Sequence, residues 1–154
     1  MLQVGDEAPD FELPSHLEKD KKVRLSDFRS KQNVIIAFYP FDWTPVCGTQ
    51  IPSYEADSAR FAGHNAKVLG ISGDSVPSHA AWAQSLGGLS YDLLADFHPK
   101  GEVAQAYGTW REQSGFSDRA LFIVDKQGKI AYTDRHELLD VPNNEELFDV
   151  LKKM

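Results

Sequence analysis

Asn33-Val34-Ile35-Ile36-Ala37-Phe38-Tyr39 is an unbroken apolar run rich in β-branched residues, closed by Pro40. A short run with no polar alternation predicts a strand buried on both faces, and proline ends it because it has no N–H for a ladder. Such a strand needs covering layers on either side, and the flanking sequence supplies them. Downstream, the pattern turns helical from about Pro45 to Asn65, and Lys67-Val68-Leu69-Gly70-Ile71-Ser72 then reads as a second buried strand ending at Gly73-Asp74. The alternation continues with a helix over 78–86 capped by Ser78, a short strand over 91–95 and a short helix over 101–107. Ala120-Leu121-Phe122-Ile123-Val124 and Ile130-Ala131-Tyr132-Thr133 flank a turn with Gly128 and predict a late hairpin, and a helix over 144–153 closes the chain. Upstream, Phe11-Glu12-Leu13 and Lys22-Val23-Arg24-Leu25 flank a polar stretch and predict a small peripheral β-hairpin. Strands joined through helices and followed by a hairpin imply an α/β fold, a central mixed sheet flanked by helices, with the N-terminal hairpin outside it. With no repeat or Gly/Ser-rich linker, residues 1–154 read as a single domain.

Composition supports a packed fold. Of 154 residues 42% are hydrophobic, with nine Phe, five Tyr and three Trp, which is enough to fill one core, and the 25% charged fraction is not that of a disordered chain. Asp and Glu outnumber Lys and Arg by 23 to 16, so the net charge of -7 repels phosphate backbones and anionic lipid; no nucleic acid and no membrane partner is expected. The longest apolar run falls far short of the roughly 20 residues that span a bilayer. The start Met1-Leu2-Gln3-Val4-Gly5-Asp6 lacks a basic flank and an apolar signal core, making the cytoplasm the default location. One cysteine excludes an internal disulfide and suits a reducing compartment.

In mixed sheets of this kind, sites form where strands end and the next helix begins, which points to Pro40-Phe41-Asp42-Trp43-Thr44-Pro45-Val46-Cys47-Gly48-Thr49-Gln50. Thr44 suits an N-cap and Pro45 the first helical position, placing Cys47 in the first turn. A lone cysteine is commonly a small buried hydrophobe. At a helix start, however, free N–H groups and the positive end of the dipole favour a thiolate, so a nucleophile competes with that reading.

Pro40-x-x-x-Thr44-x-x-Cys47 resembles the signature of the peroxiredoxins. Gly5-Asp6-x-Ala8-Pro9-Asp10-Phe11, Asp74-Ser75-x-x-Ser78-His79-x-x-Trp82 and Arg119-Ala120-Leu121-Phe122-Ile123-Val124-Asp125 are similar to three further motifs of that family, in the same order. The resemblance implies a thioredoxin-like fold and a thiol-dependent peroxidase that reduces hydrogen peroxide and organic hydroperoxides. It casts Cys47 as the peroxidatic nucleophile, Thr44 as a hydroxyl partner of thiolate or peroxide, Pro40 as a shield from water, and Arg119 as the cation that steadies the sulfur and polarises the peroxide. Several groups are needed, because ionising the thiol fully at neutral pH raises its reactive fraction only about 30-fold, or about 2 kcal/mol. The rest has to come from orientation and from donors aimed at the leaving oxygen.

Two departures from the family pattern stand out. In one subgroup a resolving cysteine lies five residues after the nucleophile, where this chain has Pro52, which also predicts a helix kink; the sulfenic acid at Cys47 then needs an external thiol, such as thioredoxin, glutaredoxin or a small thiol. Gln50 stands where many members carry Glu, so a neutral amide replaces a carboxylate beside the arginine. Peroxiredoxins often dimerise, and Phe41 and Trp43 beside the site suit a homodimer interface.

His16, His64, His79, His98 and His136 show no ligand spacing, so no metal is expected, and no cofactor either. His79 reads as a helix-surface or capping residue, Trp43 and Trp82 as core or interface, and Glu145-Glu146 as a complement to the dipole of the last helix. Gly87-Gly88 is a turn without a phosphate-loop pattern. The alternative from another class is a thioredoxin-fold binding or holdase module without peroxidase turnover. A disulfide-exchange protein would need the Cys-x-x-Cys pair that this chain lacks.

Overall fold

Ile35, Ile36, Ala37, Phe38 and Tyr39 are shielded completely from solvent, as the apolar run requires. In the computed structural model, which describes residues 1–154, they form the middle of a five-stranded mixed sheet. Strands β1 (Glu12–Pro14) and β2 (Lys22–Arg24) make the N-terminal hairpin, separate from that sheet. Strand β3 (Asn33–Phe38) pairs in parallel with β4 (Ala66–Ser72), and β4 in parallel with β5 (Asp92–Ala95). On its other side β3 runs antiparallel to β8 (Arg119–Val124), which pairs with β9 (Ile130–His136) as the expected hairpin.

The period of two along β3 divides the core. Ile35, Ala37 and Tyr39 face helices α1 (Cys47–Ala56), α2 (Ser58–Gly63), α3 (Val76–Ser85) and α5 (Asn144–Leu151), meeting Ile51, Phe61, Trp82 and Phe148. Val34, Ile36 and Phe38 face the N-terminal arm and α4 (Glu102–Ala106), where Phe11, Val103 and Tyr107 complete the second layer. Fully burying each large apolar side chain contributes about 1.5–3 kcal/mol, so the run of buried residues along β3 holds this strand firmly in the core. No helix is long and apolar enough to cross a membrane.

Several local expectations need correction. The helix expected over 45–65 is two helices, α1 and α2, separated at Asp57; α1 passes through Pro52. Helix α3 begins before Ser78, because Ser75 is its cap and accepts the Ser78 N–H at 3.3 Å, with Pro77 in the first turn. A small hairpin of β6 (Trp110–Arg111) and β7 (Phe116–Ser117) precedes β8 and was not anticipated, since two-residue strands carry no readable period. Strand β9 continues past Thr133 to His136, beyond its apolar stretch.

Candidate functional site

The chain leaves β3 at Tyr39 and turns through Pro40 to Val46 before α1 begins at Cys47. Trp43 holds this turn in the left-handed region, φ 69°, a conformation that costs a non-glycine residue about 1 kcal/mol and persists only when its neighbours are anchored. Asp42 is the anchor. Its carboxylate accepts the Tyr39 hydroxyl at 2.7 Å and the Ser78 hydroxyl at 2.9 Å, and lies 2.7 Å from His79 Nδ1, while its N–H donates to Asp74 at 3.0 Å. His79 is therefore not on the helix surface: it is wholly buried, with Nε2 3.1 Å from the Leu94 carbonyl. Burial, and then the Asp42 carboxylate, push the Tyr39 phenol well above its ordinary range, so it remains a donor. Sequence reasoning missed this network, which fastens the loop before Cys47 to α3 and β5.

Cys47 is the first residue of α1 and is buried. Its N–H and that of Val46 donate to no acceptor in the chain, as expected for the orphan groups of a first turn. Thr44 is not the side-chain cap: its hydroxyl donates to the Phe41 carbonyl at 2.9 Å, while its own carbonyl accepts the Gly48 N–H at 2.8 Å. No side chain caps α1.

Arg119 enters from the start of β8, 72 residues along the chain. The pairing of Phe38 with Ala120 brings it beside the end of β3, and both Nη1 and Nη2 stand 3.4 Å from Cys47 Sγ. Nη2 also donates to the Leu138 carbonyl at 2.7 Å, and Nη1 to Gln50 Oε1. Gln50 thus fills its place by geometry, and through Nε2 it donates to the Tyr54 hydroxyl at 2.8 Å. It brings no charge. Arg119 is only 2% exposed and pairs with no carboxylate. Burial pushes the Tyr54 phenol up to about 12, against the smaller opposing effects of Gln50 and Arg119, so it stays neutral. Of the groups that touch this buried cation, only the sulfur can become an anion, and a buried charge requires one.

Cys47 and Arg119 form the floor of a pocket of about 180 Å³ whose walls are Pro40, Phe41, Thr44, Phe116, Leu138 and Leu139. The four residues singled out in the sequence, Pro40, Thr44, Cys47 and Arg119, meet in this one cavity. Phe116 and Leu138 were not foreseen. A larger depression of about 740 Å³ lies at the opposite end of β3, around Asn33, Asn65 and Lys126, and is lined by no cysteine, serine or threonine.

Comparison with known proteins identifies the family. Residues 4–133 match the model of the AhpC/TSA family. A chloroplastic 2-Cys peroxiredoxin of Spinacia oleracea is 39% identical over 142 residues, covering 88% of this chain and 53% of that protein, so the chain spans about half the length of such plant relatives. Alkyl hydroperoxide reductase E of Mycobacterium tuberculosis is 35% identical over 134 residues, covering 87% of this chain and 86% of the relative. The crystal structure of the peroxidoxin BcpB from the same organism superposes with a TM-score of 0.87 at 27% identity, covering 100% of this chain and 99% of that one. With this sequence match, a thioredoxin-like sheet and a cysteine facing an arginine at the end of its central strand, the chain belongs to the AhpC/TSA family of peroxiredoxins.

Proposed function

We propose that the chain is a thiol-dependent peroxidase in which Cys47 is the nucleophile, Arg119 the electrostatic partner, and Thr44 and Pro40 parts of the peroxide pocket. The observation that carries this reading is the guanidinium fork of Arg119 on Cys47 Sγ, 3.4 Å from each terminal nitrogen, with no carboxylate to neutralise it. The thiolate attacks the terminal peroxide oxygen; the S–O bond forms as the O–O bond breaks, the sulfur becomes a sulfenic acid, and the leaving oxygen takes a proton to give water or an alcohol. Arg119 and the unbonded N–H groups of Val46 and Cys47, which line the same pocket, are the donors available to the negative charge that develops on the leaving oxygen. The Thr44 hydroxyl, its proton directed at Phe41, keeps lone pairs to accept from a peroxide O–H. An external thiol then condenses with the sulfenic acid, releasing water, and a second thiol reduces the mixed disulfide. Thioredoxin, glutaredoxin and small thiols are the candidate reductants in a reducing compartment.

The pocket walls are almost wholly apolar, which favours organic hydroperoxides over hydrogen peroxide. Rapid mixing of the reduced protein with each, followed by mass measurement and sulfenic-acid trapping, tests both points. Cys47 should react far faster than a free small thiol; equal rates would refute the peroxidase reading. Leu139 stands at the pocket mouth, 86% exposed. At about 25 cal/mol per Å², a contact of some 40 Å² between Leu139 and an alkyl chain is worth about 1 kcal/mol, so Leu139→Ser should slow reaction with a bulky organic hydroperoxide about fivefold and affect hydrogen peroxide less.

The same rim supports a homodimer. Phe41 and Trp43 are 39% and 57% exposed beside the site, an apolar pair that a second copy would cover. Sedimentation at micromolar concentration should give a dimer that Trp43→Glu dissociates; a monomer throughout would end this part of the proposal.

A further inference from the structure

The end of β9 meets the first turn of α5 in a second cluster of chemically able side chains. Asp134 and His136 are two residues apart on one strand and so share a face. Glu146 approaches from α5, and one ligand atom from each of the three lies within 4.8 Å of the others. His136 Nε2 is only 2.8 Å from Asp134 Oδ2, yet this nitrogen, itself closed off from solvent, makes no aligned hydrogen bond. With no hydrogen bond between them, the buried nitrogen is left unsatisfied beside a carboxylate oxygen, and a shared cation would satisfy both. On the far side of the ring, Nδ1 is 3.0 Å from Asp140 Oδ2. The tautomer that donates from Nδ1 to Asp140 leaves the Nε2 lone pair directed into the cluster, and this is how an outer carboxylate orients a metal-binding imidazole. Tyr132 orients Asp134 in a similar way, donating to Oδ2 at 3.1 Å.

We propose that Asp134, His136 and Glu146 bind one divalent cation of the zinc class, with Asp140 holding the imidazole from behind. One nitrogen and two carboxylate donors suit such an ion, whereas an oxygen-only shell would suit calcium or magnesium. The other compact group, Asp42, Asp74 and His79, does not qualify: both His79 nitrogens face acceptors, and Asp74 Oδ2 takes the Asp42 N–H and the Ser72 hydroxyl. The scatter of histidines along the sequence argued against a metal because it hides the partners of His136: Glu146 comes from another element. A cation here also bears on the peroxide pocket. Leu138, whose carbonyl receives Arg119, lies between His136 and Asp140, so binding would tether the segment that positions the guanidinium without placing a ligand in the pocket.

Titration of the reduced full chain with Zn²⁺ by calorimetry, in parallel with the Cys47→Ser variant to remove the thiolate as a competing ligand, tests the site. Both should bind one equivalent with a micromolar or tighter constant. His136→Gln should weaken binding at least 100-fold, Glu146→Gln at least 10-fold and Asp140→Asn about 10-fold, the last being the scale of an outer-carboxylate loss. Glu146 is exposed, so its variant keeps the test decisive if His136→Gln fails to fold. Absence of saturable binding below about 1 mM, several weak equivalents, loss of binding in Cys47→Ser, or unchanged affinity in Glu146→Gln would each overturn the proposal.

Discussion

Cys47→Ser is expected to abolish peroxide reduction, with a fall of more than about 1,000-fold in the rate of reaction with any hydroperoxide, while the fold is retained. The sequence has no second thiol to substitute for it. A serine hydroxyl in the same place does not ionise near neutral pH, and the oxygen is a far weaker nucleophile toward peroxide than a thiolate. Retention of the fold is expected because serine is close in size to cysteine and the Arg119 fork supplies donors to its oxygen, so the polar atom is not left unsatisfied in a buried position. The measurement is stopped-flow consumption of an organic hydroperoxide with external thiol in excess, beside a thermal melt. Peroxide consumption by the native chain no faster than by Cys47→Ser would favour the binding or holdase alternative, whose function would rest on the surface and not on the sulfur.

The sequence reading succeeded where local physics is strong and failed where distant residues decide. Strands β3, β4 and β8 were legible because an unbroken apolar run can be satisfied only by burial on both faces. Cys47 near a helix start was legible from Pro45 and the helical pattern after it, although Pro45 is not the first helical residue: Val46 is the N-cap and the helix begins at Cys47 itself. Its partnership with Arg119 was not, because 72 residues separate them and only the β3–β8 register brings them together; family resemblance, not spacing, pointed to it. Thr44 was assigned as a cap from its residue type, but the left-handed turn at Trp43 directs its hydroxyl to Phe41. His79 read as a surface residue because its helix gives no hint that Asp42, from another loop, lies against it. Asp134 and His136 lie at the polar end of the late hairpin and Leu138, Leu139 and Glu146 beyond it, where the sequence is silent about what faces what.

Arg119→Met should separate activity from stability. The guanidinium is the only cationic donor at the sulfur, and removing one such donor to a developing oxyanion costs about 2.7–4 kcal/mol, a loss of about 100- to 1,000-fold in the rate of sulfenic-acid formation. The effect on folding is a contest between opposing terms. Methionine leaves Gln50 Oε1 and the Leu138 carbonyl without their donor, at about 1–3 kcal/mol each, and cannot reproduce the fork. The same change removes a cation that is 2% exposed and has no carboxylate partner, a burial that costs several kcal/mol when the sulfur is a neutral thiol. These terms are of similar size, so the denaturation midpoint of the reduced protein should move little while activity falls by two to three orders of magnitude. Arg119→Lys distinguishes charge from geometry: it keeps the cation but, as a point charge on a flexible stem, cannot span sulfur, amide and carbonyl at once, and it should recover only part of the rate. A methionine variant that reacts with peroxide at the native rate would show that the helix N–H groups suffice and that Arg119 serves the fold alone. A variant that loses rate and stability together would mean that the arginine stabilises the chain more than its burial opposes it, and that the thiolate is already present as its counter-ion in the resting protein.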